Sequence, residues 1–470
     1  MLVLLNPPFS ARKTQYCLNY YKDGPYPHPS LAYLAGYLQK KDIPVRIIDA
    51  KFHKMSPMQV IETLNDMKPE IVGVTSSTTE INDVHRMITE IKANLPETFT
   101  IMGGVHASAL PIETITDNKD LDAVAVGEGE FILEKLASAG DIYKALPSIK
   151  GLAYRKNGII ERTPPQEYGE NMYEYGKAAF HLWPKARFYH ILTYRGCPFS
   201  CSFCFRVFGK KARLRKMEDV VDELEYIASN ALGARTVISD STFGLSREYT
   251  VSILENIIKR GISAKLRWNC FTRVDVIDKE LLKLIKRAGC IELGVGIESG
   301  SDHVLRSTGK NIMASTAQRV VEEAKEMGMK TCGYYIFGHV NETKAEIGQT
   351  VRMIHKVNTD EATIGIMVPW PGTKVYELAK NNQGGYRLLS KDYSKYDKYF
   401  GSTLEFKNFD MDYLESMRVK AYLYLYIKNR RFIDLLRFLY SYRGHIVKKI
   451  LHLIKRSLTK KTNRDGDGKR

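Results

Sequence analysis

Along residues 1 to about 140, short uninterrupted apolar runs alternate with stretches in which apolar residues recur every three or four positions. The runs 2–5, 45–49, 71–75, 100–104 and 123–127 have strand length, and 31–39, 58–64, 81–95 and 130–137 have helical spacing. Apolar strands between amphipathic helices predict a doubly wound parallel sheet covered on both faces. A charged, tyrosine-rich connector with Pro164-Pro165 follows over 141–185. The alternation then restarts, with strands predicted at 188–193, 236–239, 264–269, 291–295, 331–337 and 361–367. Helices are expected at 217–230, 247–260, 279–287, 317–327 and 345–357, with 375–380 the candidate for the last, so six strand–helix units curl into a partial barrel. Its chemistry belongs at the carboxyl-end loops. Beyond 410 the pattern is helical throughout, over 411–428 and 431–458, with 460–470 expected to be disordered.

One loop concentrates the candidate chemistry. After the first barrel strand comes Tyr194-Arg195-Gly196-Cys197-Pro198-Phe199-Ser200-Cys201-Ser202-Phe203-Cys204, which holds three of the seven cysteines in the spacing C-x3-C-x2-C. Three thiolates on one loop suit a soft metal centre, either a zinc site completed by His190 or a distant Cys, or an iron–sulfur cluster. A four-iron cluster held by three cysteines leaves one iron open to another ligand.

Cys197, Cys201 and Cys204, with the aromatic Phe203 before the last, resemble the cluster motif of the radical S-adenosylmethionine (SAM) superfamily. That resemblance implies a [4Fe-4S] cluster whose open iron binds SAM. One electron then yields a 5′-deoxyadenosyl radical that abstracts hydrogen from an unactivated carbon. Later stretches are similar to the same family in order. Asp240-Ser241 resembles the segment near the SAM amino group, and Glu298-Ser299 the ribose-contacting segment, since a carboxylate accepts from both hydroxyls. Residues 333–342, with Gly338 among them, resemble the strand end flanking adenine, and Pro369-Trp370-Pro371-Gly372-Thr373 resembles a turn of the family. Phe203 is a candidate for stacking near adenine, with core packing the plainer reading, and Arg195 and Arg206 flank the cluster loop as either carboxylate partners or solvated cations. Cys270, Cys290 and Cys332 read as small core residues.

The first domain carries Gly103-Gly104-Val105-His106-Ala107-Ser108 and, some twenty residues on, Gly127-Glu128-Gly129-Glu130. Both are similar to the cobalamin-binding domain that precedes many radical SAM cores. Asn6, Thr75, Ser77, Gly103, Gly104, His106, Gly127 and Glu128 are therefore the expected cobalamin contacts, at strand ends where ligands of such sheets bind. The Asp-x-His-x-x-Gly motif that supplies a cobalt-ligating histidine is absent. The expected organisation is a Rossmann-like cobalamin-binding domain over 1–140, the connector over 141–185, a radical SAM partial barrel over 186–385 and a basic helical region over 386–470.

Composition narrows the partners. The chain has 470 residues and 44% apolar residues, ample for large cores. Seven cysteines with three in one metal-type motif fit a reducing compartment, and the short apolar N-terminus lacks a signal peptide's basic flank, so a cytoplasmic protein is expected. Of the net charge of +17, most falls on 428–470, which holds fourteen Lys/Arg against three Asp. A mildly basic body argues against a nucleic-acid partner. The tail reads either as helix covering the barrel or as a basic amphipathic surface for peripheral membrane contact. The expected activity is cobalamin-dependent C-methylation of a small-molecule or lipid substrate, with a flavodoxin- or ferredoxin-type one-electron reductant. The alternative keeps the radical core but forms a ring or a carbon–carbon bond without methyl transfer. A non-radical binding module would cleave no SAM, and a methylthio-transferring enzyme is disfavoured because Cys17 is the only cysteine of the first domain.

Overall fold

A computed structural model describes residues 1–8, 25–398 and 403–441. Seven strands form the first sheet: β1 (Leu2–Asn6), β2 (Val45–Asp49), β3 (Ile71–Ser76), β4 (Phe99–Gly104), β5 (Ala123–Ala125), β6 (Leu152–Lys156) and β7 (Ile159–Arg162). Their order is β2-β1-β3-β4-β5-β6-β7, with the first five parallel and β6 and β7 antiparallel. The last two lie within the stretch read from sequence as connector. β7 is largely exposed and gives no strand-like alternation, while β6 buries Leu152, Ala153 and Tyr154 by extending the edge at β5.

Alternation along the strands divides the sheet's two faces. Leu2, Leu4, Ile71, Phe99 and Ile101 share one continuous core with the barrel, whereas Val3, Leu5, Val72, Val74 and Met102 form a second core. The helix Pro29–Lys40 contributes Leu31, Ala35 and Leu38 to the shared core. It approaches the following chain closely: a Cβ on Gly36 would lie 1.8 Å from the Lys177 carbonyl oxygen.

The second sheet holds six parallel strands in sequential order: β8 (Phe188–Ile191), β11 (Arg235–Ile238), β12 (Arg267–Arg273), β13 (Cys290–Glu298), β14 (Lys330–Phe337) and β15 (Glu361–Ile366). Among the described residues β8 and β15 have no strand on their outer edges, which makes the sheet a partial barrel. The helices Met217–Asn230, Arg247–Lys259, Lys279–Arg287, Ala314–Glu326 and Lys344–Val357 connect the strands. Residues 264–269, expected as the third barrel strand, are a correction. Ile262–Ala264 is a 3-10 turn and the strand runs on to Arg273, because Trp268 pairs with Cys290 and sets the register. Its polar end, Thr272-Arg273, reaches the carboxyl-end rim. A two-stranded ribbon, β9 (Tyr194–Arg195) with β10 (Arg213–Leu214), closes the cysteine loop. A second ribbon, β16 (Tyr386–Leu388) with β17 (Leu404–Phe406), packs on the turn after β14, where the Tyr386 hydroxyl donates to Gly338 O (2.8 Å).

Cys270, Cys290 and Cys332 are buried in the barrel. In the tail the helix Met411–Leu423 packs on the barrel, and Phe432–Ser441 exposes Phe432, Ile433, Leu436 and Tyr440. The expected helix beyond Ser441 and the expected disorder of 460–470 lie outside the described residues. Among the described residues no helix is long and apolar enough to cross a membrane.

Burial lowers His28 to about 3 and His106, His190 and His339 to about 4. All four are neutral in the fold, while in the unfolded chain they take a proton below about 6.5. Each therefore costs stability as pH falls from 6.5 toward 4, by about 1.4 kcal/mol per unit. Burial raises Asp240 to about 6 and Glu342 to about 7, and these two slope the opposite way. With four groups against two, the melting temperature of the cofactor-free protein should fall between pH 6.5 and 5. Calorimetry showing a flat or rising profile there would contradict this.

Candidate functional site: a cysteine loop between two cavities

The loop from Gly196 to 212 is pinned at its base by the β9–β10 pairing, Arg195 opposite Arg213. Gly196 has φ 91°, and a Cβ there would lie 2.0 Å from the Lys211 carbonyl oxygen, so only glycine closes this ring. Barrel elements hold the loop's other side: Ser202 N–H donates to Thr308 O (2.8 Å) and Val375 N–H to Ser202 O (3.1 Å). The glycine of the Pro369–Thr373 turn packs on the aromatic after the third cysteine, since a Gly372 Cβ would sit 2.5 Å from the Phe205 ring.

Cys197, Cys201 and Cys204 line the mouth of a barrel cavity of about 370 Å³, within the usual range for small-molecule sites. Among the described residues no three His, Cys, Asp or Glu side chains converge closely enough for a single metal ion. Three thiolates on one loop match the three protein-held irons of a four-iron cluster. Two cations face the sulfurs. Arg273 Nη1 lies 3.9 Å from Cys201 Sγ, with its guanidinium 3.6 Å from the Phe199 ring centre and Nη2 donating to Lys310 O (2.7 Å). Lys310 Nζ is 3.0 Å from Glu298 Oε1. Burial pushes the Cys201 thiol up, and Lys310 and Arg273 pull it back toward thiolate. Arg273 is also paired with Asp275 (Nε to Oδ1 3.0 Å, Nη2 to Oδ2 2.8 Å), so each of the two cations has a carboxylate partner beside the thiols.

Of the residues expected around SAM, Phe203, Ser241 and Glu298 line this cavity. Phe203 lies edge-on to His339, with ring centres 5.6 Å apart. Glu298 sits at a β13 irregularity with φ 68°, and Gly296 leaves the space that its carboxylate and the Lys310 ammonium occupy. The other three, Asp240, Ser299 and Gly338, make contacts within the protein. Both Asp240 oxygens accept from Thr193, from its N–H at 2.7 Å and from its hydroxyl, so this carboxylate ties β11 to the end of β8. Ser299 is fully buried against the Thr350 hydroxyl (3.1 Å). Gly338 shapes a turn at φ 90°, donating to Glu342 Oε2 (2.7 Å), and its missing Cβ makes room for Phe406. Sequence reading passed over Arg273 and Lys310; the signal was an arginine at the carboxyl end of a barrel strand, and a lysine straight after Gly309.

On the loop's other side a cleft of about 130 Å³ opens at the carboxyl ends of β1, β3, β4 and β5. The strand order reverses between β1 and β3, the place where such sheets bind ligands. Thr75, Gly103, Gly104, Gly127 and Glu128 line it, with apolar walls from Leu34, Ile101 and Leu133. The cysteine loop closes it with Val207 and Phe208. The two glycines of β4 differ in kind. Gly104 has φ 103°, and a Cβ would lie 2.4 Å from Ser76 O, whereas a Gly103 Cβ meets only Ala125 at 3.9 Å and leaves open space. Such a glycine-floored apolar cleft suits a large planar ligand's edge or tail.

Asn6, Ser77 and His106 are not among the cleft's lining residues. Asn6 is buried and donates to Asp49 Oδ1 (2.7 Å), which also holds Trp183 through Oδ2 (3.0 Å). Ser77 precedes the turn Thr78–Glu80. His106 packs beside Thr78 Oγ1 (3.4 Å) and Tyr393, whose ring centre is 4.8 Å away. Glu128 reaches the cleft but is also paired across the loop: Arg213 Nη1 donates to its Oε2 (3.0 Å), Tyr175 donates to it, and Arg195 Nη1 lies at 3.3 Å. Burial opposes its charge, yet the two arginines hold its carboxyl below the usual range. Glu130 accepts from Arg195 Nη2 at 2.7 Å. Arg206, the other flanking arginine, donates to Phe199 O (3.0 Å).

A parallel partial barrel with a three-thiol loop at its mouth, joined to a cofactor-type α/β sheet, defines a radical-generating enzyme core with a corrinoid-type domain. Residues 191–354 match the model of the radical SAM superfamily, and residues 23–137 that of the B12 binding domain. The chain belongs to the radical SAM superfamily and carries a B12 binding domain. It is an enzyme, and the cofactors of that family and domain are a [4Fe-4S] cluster, SAM and cobalamin. The chain is 29% identical over 436 residues to an uncharacterized methyltransferase of Pyrococcus horikoshii, covering 90% of this chain and 92% of the relative. It is 28% identical over 390 residues to an anaerobic magnesium-protoporphyrin IX monomethyl ester cyclase of Rubrivivax gelatinosus, covering 80% and 69%. The fold is similar to that of the radical SAM methyltransferase TsrM from Kitasatospora setae, solved with cobalamin and a [4Fe-4S] cluster bound. The TM-score is 0.74 at 19% identity, covering 89% of this chain and 90% of that one.

Proposed function

We propose that this protein methylates an unactivated carbon of a small-molecule substrate as a cobalamin-dependent radical SAM enzyme. The observation that carries the reading is one loop serving two cavities. Cys197, Cys201 and Cys204 open on the barrel cavity, while Val207 and Phe208 of the same loop wall the cleft of the B12 binding domain. The methyltransferase name of the relative from Pyrococcus horikoshii supports the choice of methyl transfer. When bound, the cluster with SAM supplies a hydrogen-abstracting radical, and cobalamin supplies a transferable methyl group.

In this reading the three cysteines hold the cluster, with Arg273 and Lys310 beside it. Glu298 accepts the SAM ribose hydroxyls, with its carboxylate held in place by Lys310 (3.0 Å). Phe203 and Ser241 border the same ligand. Thr75, Gly103, Gly104 and Gly127 admit cobalamin, and Glu128 fixes the boundary between the two sites. The electron comes from an external reductant, proposed as a flavodoxin- or ferredoxin-type protein.

A second reading, ring formation without methyl transfer, draws support from the cyclase of Rubrivivax gelatinosus. The deciding experiment is anaerobic reconstitution with iron, sulfide and hydroxocobalamin, followed by desalting and turnover with SAM and reductant. The methyltransferase reading expects iron near four per chain, about one corrinoid, and both S-adenosylhomocysteine and 5′-deoxyadenosine among the products. 5′-Deoxyadenosine without S-adenosylhomocysteine would overturn methyl transfer and leave the radical core standing.

A further inference from the structure

The cleft of the first sheet is incomplete without the cysteine loop, and the loop is locked onto that sheet by charges buried with it. Glu128 and Glu130, from the turn after β5, face Arg195 and Arg213, the paired residues at the base of the loop. All four side chains are at most 6% exposed. Buried charges of this kind are tolerated only while paired, because separating one leaves an uncompensated ion out of water. The aromatic shell adds to the fit: the Arg195 guanidinium lies 5.3 Å from the Tyr175 ring centre and 5.1 Å from that of Phe208. The network therefore forms as a unit when the loop base docks on the first sheet.

Docking does two things at once. It places Phe208 and Val207 over the cleft, and it fixes the base of the loop whose tip presents the thiols to the barrel. A ligand that touches both the sheet and Phe208 would bind the docked arrangement better than an undocked one, and so would a cluster gripped by the three cysteines of the same loop. Two ligands that favour the same state of one element must help each other, by the same factor in either direction.

We infer that the Glu128–Glu130–Arg195–Arg213 network couples corrinoid binding to cluster binding, with Arg195 and Glu130 as positioning residues. The inference rests on the cobalamin reading above. The coupling expected for such a shared element is about 5- to 150-fold in affinity.

The test uses hydroxocobalamin as probe and the full chain, titrated anaerobically by absorbance and by quenching of tryptophan fluorescence. Two forms are compared: the cluster-loaded protein and a cluster-free protein carrying Cys197→Ala, Cys201→Ala and Cys204→Ala. The loaded form should bind the corrinoid at least fivefold more tightly. With Glu130→Gln introduced into both, the ratio should shrink below twofold while the loaded variant keeps its iron. As a readout independent of that variant's folding, hydroxocobalamin added to the cluster-free protein should raise hydrogen-exchange protection over residues 205–209. Equal affinity in the two forms, an undiminished ratio with Glu130→Gln, or unchanged protection would each overturn the coupling and leave cobalamin binding intact. Absence of corrinoid binding to either form would overturn the cobalamin reading, and the coupling with it.

Discussion

Cys201→Ala protein, reconstituted anaerobically with iron and sulfide, should lose most of its cluster iron, and 5′-deoxyadenosine formation from SAM should drop to background. Cys201 is the middle ligand of the three, and its sulfur faces Arg273 Nη1 (3.9 Å) and the Gly309 carbonyl (4.0 Å). Two thiolates leave two irons without protein ligands, so no single open iron remains for SAM. The fold should survive. The barrel side of the loop is anchored through Ser202–Thr308 and Val375–Ser202, neither of which involves a cysteine side chain. The melting temperature of the variant should therefore match that of cofactor-free wild type to within about 1 kcal/mol of stability. A variant that retains iron near four per chain and still cleaves SAM would overturn the assignment of this loop.

Gly103→Leu should separate the two cavities in the opposite sense. A Cβ at Gly103 meets only Ala125, at 3.9 Å, so the backbone tolerates the side chain. The remaining atoms enter the cleft, which is only about 130 Å³. Forcing such a group beside a ligand costs about 1–3 kcal/mol, which is about 5- to 150-fold in affinity. Hydroxocobalamin binding should weaken by that factor, S-adenosylhomocysteine formation should fall with it, and iron content should stay at the wild-type value. Gly104→Ala is not an equivalent probe, because there the new Cβ strikes the Ser76 carbonyl and strains the backbone at φ 103°. Unchanged corrinoid affinity in Gly103→Leu would remove this cleft from the cobalamin site.

The two probes rest on different kinds of information. The spacing of Cys197, Cys201 and Cys204 is visible in a dozen consecutive residues, since a loop of that length brings its own thiols together. The difference between Gly103 and Gly104 is not visible there. It depends on where β3 and β5 lie, because Ser76 and Ala125 are the atoms each glycine meets.

The same distinction runs through the candidate ligands. Ser241 follows a barrel strand and Glu298 ends one, and both line the barrel cavity. Asp240 and Ser299 follow strands too, but Thr193 and Thr350 claim their side chains from neighbouring elements. His106, expected from its motif as a cobalamin contact, packs beside Tyr393 from the far end of the chain.

Taken alone, the sequence determined the alternation of strands and helices, the division into a first sheet and a partial barrel, and the three-thiol loop. These follow from periodicity and short-range spacing, which act between near neighbours. Tertiary structure alone decided that β6 and β7 extend the first sheet, that the third barrel strand runs to Arg273, and that Glu128 serves Arg213, 85 residues away. Strand register and the pairing of buried charges are set by partners distant in the chain, and a buried carboxylate takes whichever cation the fold delivers to it.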